Sequence, residues 1–327
     1  MDENQRVILI RRVKQRLKLL GLLVGLIIAA LAIVYFAAPQ WLLRAAERVQ
    51  AQRAGLQIKS VQAGDTRWVY YEGGKDNAPT LILLHGYMGN KETWLPMAPF
   101  LASNFHLIIP DLPGWGASSR IANGDYGYPA QAKRLRQFVQ ALHPGGIALA
   151  GHSMGGAIAG LYASQHPGDV GALVLIDSAG VPFKDNAFTR ELKAGRNPFD
   201  PQNRADFAKL QKSLFAHPPW LPPRIQDVFV HRAIRDRDFD DRVLKEIASP
   251  DQRDVLTAAL PKVTAPTLAI WCRQDRIIDI SALDAIRDDL KSAPQIGVTE
   301  FSDCGHMSIM ERARESADAI TRFVLMP

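Results

Sequence analysis

One short stretch constrains the fold of this chain more than any other. Ile147-Ala148-Leu149-Ala150 is an apolar run, Gly151-His152-Ser153-Met154-Gly155 is a glycine-flanked turn centred on a serine, and Gly156-Ala157-Ile158-Ala159-Gly160 is a run of small residues. This reads as a buried strand that reverses at once into a tightly packed helix. Side chains two residues either side of the serine have no room in such a reversal, and the serine backbone itself is strained. The turn lifts the hydroxyl above the sheet edge and sets the next N–H at a helix N-terminus, where developing negative charge is favoured.

The rest of the chain supplies the sheet that such a turn requires. Leu81–Leu84, Leu107–Ile109, Leu173–Ile176 and Leu268–Trp271 are unbroken apolar runs, separated by helical stretches such as Ala130–Leu142. Runs of that kind are buried on both faces, which predicts a mainly parallel sheet with helices on both sides. Ahead of them, Leu56–Gln62 and Thr66–Glu72 alternate apolar and polar residues around Ala63-Gly64-Asp65, as a half-exposed hairpin does.

In sheets of this type the chemistry gathers in loops at the carboxyl ends of the strands. His85-Gly86-Tyr87-Met88-Gly89 follows the first apolar run. Its glycines let a main-chain N–H face the serine, so the N–H groups of Tyr87 and Met154 are the expected oxyanion-hole donors. Such donors are worth about 3 kcal/mol each where comparable ones have been removed. His85 itself reads as a structural histidine bonded to a neighbouring loop. Asp111-Leu112-Pro113-Gly114-Trp115-Gly116-Ala117-Ser118 reads as a rigid turn with Trp115 on a pocket wall. Cys272-Arg273-Gln274-Asp275 and Cys304-Gly305-His306 follow the last two strands. A serine becomes nucleophilic when an imidazole takes its proton, and the imidazole needs a carboxylate to fix its tautomer. Ser153, Asp275 and His306 are therefore the candidate catalytic residues. Asp177 is the main rival for the acid, and Asp279 a weaker one.

The net charge of +6 would suit a nucleic-acid partner if it were spread along the fold. Instead Arg6, Arg11, Arg12, Lys14, Arg16 and Lys18 lie together ahead of the first apolar stretch, opposed only by Asp2 and Glu3. The remainder is close to neutral, and no phosphate-binding stripe is expected. Leu19–Ala38 carries no charge and, as a helix, spans roughly 30 Å, one bilayer core. Tyr35 and Trp41 stand at its far end, as interfacial aromatics do. The sequence after it is a poor signal-peptidase site, so an uncleaved anchor is expected, with residues 1–18 in the cytoplasm and the globular part facing the periplasm. The pattern divides the chain into a basic segment (1–18), a transmembrane anchor (19–38), a juxtamembrane helix (39–55), a core (56–180 and 262–327) and a cap (181–261). Two cysteines, Cys272 and Cys304, exclude a disulfide framework and a four-cysteine zinc site. They fall near the ends of neighbouring strands, where paired positions rarely suit a disulfide, so two buried thiols are expected.

Taken together, Gly-His-Ser-Met-Gly-Gly, His-Gly-Tyr-Met-Gly, Asp-Leu-Pro-Gly-Trp-Gly-Ala-Ser and the Asp275 and His306 loops resemble the α/β-hydrolase superfamily over about residues 65–325. With the N-terminal anchor, the chain looks like the membrane-bound lipase and monoacylglycerol lipase branch. The resemblance implies an α/β-hydrolase fold with a helical cap and a serine hydrolase acting on apolar or lipid-like carboxylic esters. It implies no metal and no organic cofactor. A C–C hydrolase of the ring-cleavage type and a non-catalytic binding module are the alternatives. The first would need a cap cation such as Arg190, Arg196 or Arg224 to hold a substrate carboxylate.

The cap segment is rich in phenylalanine, most of which should form its own small core. His217-Pro218-Pro219-Trp220-Leu221-Pro222-Pro223 stands apart. Its prolines prevent regular pairing and expose Trp220 and Leu221 on a stiff loop, either lining an acyl pocket or dipping into a membrane interface. The charge run Arg232–Arg242 mixes signs and is expected to be a solvated helix face.

Overall fold

The computed structural model describes residues 2–326. Eight strands form one sheet: β1 (Leu56–Ala63), β2 (Thr66–Gly74), β3 (Thr80–Leu84), β4 (His106–Pro110), β5 (Ile147–His152), β6 (Val170–Ile176), β7 (Thr267–Cys272) and β8 (Ile296–Phe301). Their order is β1-β2-β4-β3-β5-β6-β7-β8. The β1–β2 hairpin and the β2–β4 pair are antiparallel, and every pair from β4–β3 to β7–β8 is parallel. This is the mainly parallel sheet that the apolar runs predict.

Because successive strand residues point to opposite faces, each apolar run feeds two cores. Ile82, Leu84, Leu149, Leu173, Leu175 and Trp271 pack under α4 (Tyr128–Leu142), α5 (Met154–Gln165) and α9 (Ala282–Asp289). Leu81, Leu83, Ala148, Ala150, Val174 and Ile270 pack against α3 (Ala98–Leu101) and α11 (Ala313–Leu325). The segment between β6 and β7, the expected cap, forms α6 (Ala187–Lys193), α7 (Arg204–Leu214) and α8 (Pro223–Ile247), and the short α10 (Ser308–Glu311) follows the His306 loop.

At the N-terminus, α1 (Glu3–Ala37) is a single helix, of which Arg11–Ala37 is long and apolar enough to cross a membrane and has none of that apolar window buried. Only Ala38 separates it from α2 (Pro39–Arg53), which starts on a proline at a first-turn position where the missing N–H costs nothing. The expected surface helix is anchored at its far end, where Ala51 and Ala54 join the core beneath β1.

Two expectations are corrected. Cys272 and Cys304 form a disulfide, with Cα atoms 5.3 Å apart. Cys272 lies opposite Phe301 in the ladder, and Cys304 is in the loop beyond β8, so the two are not a strand-adjacent pair. The charge run on α8 is not solvated throughout. Asp240 is buried and accepts a 3.0 Å hydrogen bond from the Trp115 indole N–H, because the helix repeat turns that position onto the core.

Candidate active site

Ser153 sits at the end of β5 with φ 54° and ψ −121°, outside the comfortable region for a residue with a side chain. Neighbouring main chain holds it there. Its N–H donates to the Ile176 carbonyl at 3.0 Å, and its own carbonyl accepts from Gly156 at 2.9 Å and Ala179 at 3.1 Å. The flanking glycines are required by close approach. A side chain at 151 would collide with the Gly155 carbonyl, and one at 155 with the carbonyls of Leu84 and His85. At 86, a Cβ would stand 3.0 Å from the Ser153 Cβ.

His306 lies in the loop between β8 and α10. Its Nδ1 is 2.8 Å from Asp275 Oδ2, and both side chains are buried. Asp275 Oδ1 accepts from the N–H groups of Ile277 and Ile278 at 2.8 and 3.0 Å, so the carboxylate is held by its own loop and aimed by it. Burial pushes the Asp275 carboxyl up, against the opposing pull of those two N–H groups. Burial pushes the His306 imidazole down to about 3, favouring the neutral ring. With Nδ1–H donated to Asp275, the Nε2 lone pair is left for a proton. His306 and Ser153 line the same cavity, of about 1260 Å³.

The rivals for the acid are engaged elsewhere. Asp177, fully buried, accepts from the Ser308 hydroxyl at 2.5 Å and the Cys272 N–H at 3.1 Å. Asp279 accepts from the Ser281 N–H at 3.0 Å. Met154 is the first residue of α5, and among the described residues neither its N–H nor that of Tyr87 has a hydrogen-bond acceptor. Both groups flank Ser153 from different loops. His85 ties the Tyr87 loop to the loop after β4: Nε2 accepts from the Leu112 N–H at 2.9 Å and Nδ1 lies 2.8 Å from the Gly86 carbonyl. Burial lowers its pKa to about 4, which keeps the ring neutral and able to accept there.

Of the expected substrate contacts, Trp115 and Leu221 line the cavity. Trp115 is fixed edge-on to Phe239 and Tyr126. Trp220, the other candidate substrate contact on that loop, lies outside the lining and is 81% exposed, so of the two placements left open for the loop the pocket holds Leu221 and not Trp220. In an extended segment alternate residues face opposite ways, so Pro219 and Leu221 reach the cavity and Trp220 turns from it.

Two features were missed in the sequence reading. The end of the apolar helix joins the cavity wall through Phe36, Ala37 and Pro39, together with Leu43 and Glu47 of α2. No sequence signal shows where an anchor's end will rest. The other is His152, whose Nε2 lies 2.7 Å from the His306 carbonyl and whose ring sits 4.9 Å from the His306 ring. Its position beside the serine in the G-x-S-x-G turn was the available signal. Among the described residues no group of three His, Cys, Asp or Glu side chains is arranged to hold a metal ion.

Comparison with known proteins agrees with this architecture. A family profile for the alpha/beta hydrolase fold matches residues 79–313. Lipase 1 of Psychrobacter immobilis is 34% identical over 279 residues, 84% of this chain and 86% of that protein. Monoacylglycerol lipase abhd6-B of Xenopus laevis is 32% identical over 281 residues, 83% of this chain and 82% of that protein. The crystal structure of a membrane phospholipase A, a bacterial virulence factor, is similar with a TM-score of 0.84 at 35% identity, covering 95% of this chain and 100% of that one. Sheet order, strained serine turn and the span of these matches agree, and the chain belongs to the α/β-hydrolase fold family.

Proposed function

We propose that this protein is a membrane-anchored serine hydrolase that cleaves carboxylic esters of apolar or lipid-like substrates. The observation that carries the proposal is an imidazole, His306, bonded to the buried Asp275 and lining one cavity with a serine held at positive φ. Ser153 Oγ attacks the ester carbonyl as His306 Nε2 takes the hydroxyl proton, with Asp275 stabilising the imidazolium. The N–H groups of Tyr87 and Met154 receive the oxyanion. Collapse expels the alcohol, which leaves with the proton from His306, and an acyl-enzyme remains. Water then attacks the acyl carbon, gives its proton to His306 and releases the acid, and the proton returns to Ser153.

The substrate class is supported by the cavity's Phe199, Phe207, Leu210, Leu214, Phe215 and Val228, and by relatives named as lipases. The C–C hydrolase alternative gains nothing, since the one cap cation of its three that lines the cavity, Arg224, is 3.6 Å from Asp227. The basic segment before the apolar helix supports a cytoplasmic N-terminus and a catalytic domain in the periplasm of an inner membrane. A disulfide beside the site suits that oxidising compartment. The test is labelling by a fluorophosphonate and turnover of p-nitrophenyl acyl esters. Both are expected in the wild type and absent in Ser153→Ala. Equal labelling of the two proteins would refute the proposal.

A further inference from the structure

Three large aromatic side chains that the core does not use stand near one another in the fold. Phe36 is 63% exposed in the last turn of α1, Trp41 is 56% exposed in the first turn of α2, and Trp220 is 81% exposed in the cap loop. The cap and the anchor are in contact close to this loop. The Arg224 N–H, at the start of α8, donates to the Tyr35 hydroxyl at 3.4 Å, and the Arg224 guanidinium lies 5.7 Å from the centre of the Phe36 ring. Arg224 is four positions after Trp220, at most about 14 Å of chain. Pro222 and Pro223 stiffen the segment between and Pro218 and Pro219 the approach on the other side, so Trp220 is held out rather than trailing.

Arg11–Ala37 is long and apolar enough to cross a membrane, and Tyr35 and Phe36 stand at its far end. The headgroup layer beyond the hydrocarbon core is several ångströms thick, and it is where tryptophan and tyrosine rings settle. A rigid loop touching that same helical turn and carrying an unpacked indole reaches the same layer. We infer that the cap loop His217–Pro223 is a second membrane contact, with Trp220 seated in the lipid interface beside the end of the anchor. The occupant is the bilayer itself, because the exposed loop is continuous with the helix end that emerges from it. The cap is thereby held to the membrane by its own loop as well as by the anchor, and the loop that carries Leu221 into the cavity wall is also the loop that touches lipid.

The inference concerns where the protein sits, and its test does not depend on catalysis. The full-length chain is reconstituted into phosphatidylglycerol–phosphatidylcholine vesicles as Trp220→Cys carrying an environment-sensitive fluorophore. Cys272 and Cys304 are buried and bonded to each other, so the label goes to position 220 alone. A blue shift on passing from detergent-free buffer with excess amphipol to vesicles is expected, with quenching by lipids brominated near the headgroup end of their acyl chains. Emission unchanged in vesicles and quenched only by aqueous iodide would overturn the inference. Quenching that depends on protein density and not on bromine would assign the loop to a second copy of the chain and overturn it equally. In parallel, Trp220→Ser should lower turnover of vesicle-borne ester several-fold relative to a soluble p-nitrophenyl ester, and Trp220→Tyr should restore the ratio. A wild type inactive on both esters would refute the hydrolase proposal while leaving the fluorescence result intact.

Discussion

At the residue scale, the candidate site rests on which carboxylate serves the imidazole. Asp275 and Asp177 are both buried and both pushed up by burial, yet only Asp275 reaches His306. Asp275→Asn keeps the shape but inverts the hydrogen bond that sets the tautomer, so kcat should fall on the order of 10⁴-fold. Asp177→Asn should cost far less in kcat, since that carboxyl serves the Ser308 hydroxyl and the Cys272 N–H. Steady-state kinetics on a soluble ester read both, and the reverse order would move the acid to Asp177. The positions of Ser153 and Asp275 were legible because each follows an unbroken apolar strand, and such loops share one rim of the sheet; β8 before His306 is mixed and half-exposed, so that residue was read from its place in the chain after the serine and the acid. Trp220 was legible as exposed but not as facing outward. The direction of one side chain in an extended loop depends on the neighbours it alternates with, and those are set only by the folded cap.

At the scale of elements, the loops after β7 and β8 carry Asp275 and His306, and a disulfide joins them. Cys272 closes β7 three residues before Asp275, and Cys304 stands two before His306. Opening the bond frees a loop of 32 residues' separation, worth about 3–4 kcal/mol by chain-entropy reasoning. Reduction, or Cys272→Ser with Cys304→Ser, should therefore lower the melting temperature by several degrees, read by circular dichroism. No change in either case would show that packing alone holds the two loops. The pairing could not be read from sequence because it depends on how far past the ladder the second chain runs. Asp240 was misread for a related reason: alternating charges along α8 hide which charged position shares the inward face with Phe239, Val243 and Leu244.

For the whole molecule, the sheet and its two cores need nothing from α1, whose membrane-length stretch contributes no buried side chain within its apolar window. A chain beginning at Pro39 should fold, stay in solution and hydrolyse p-nitrophenyl butyrate at a rate within a few-fold of the full-length protein. Its turnover of esters embedded in vesicles should fall much further. Equal losses on both substrates would mean that Phe36 and Ala37 are an essential part of the cavity wall. The core was readable from apolar periodicity, since strands buried on both faces must be continuous in sequence. The docking of α1 and α2 against the cap was not, because it is decided by the contacts of a few exposed side chains.

The junction at Ala38 leaves the body no slack: one residue lies between α1 and α2, and α2 is itself packed against β1 and α8. A protein tethered that closely to a bilayer explores a plane and not a volume. Its rate then follows the mole fraction of ester in the surrounding leaflet, so diluting that ester with inert lipid slows it while enlarging the aqueous phase does not.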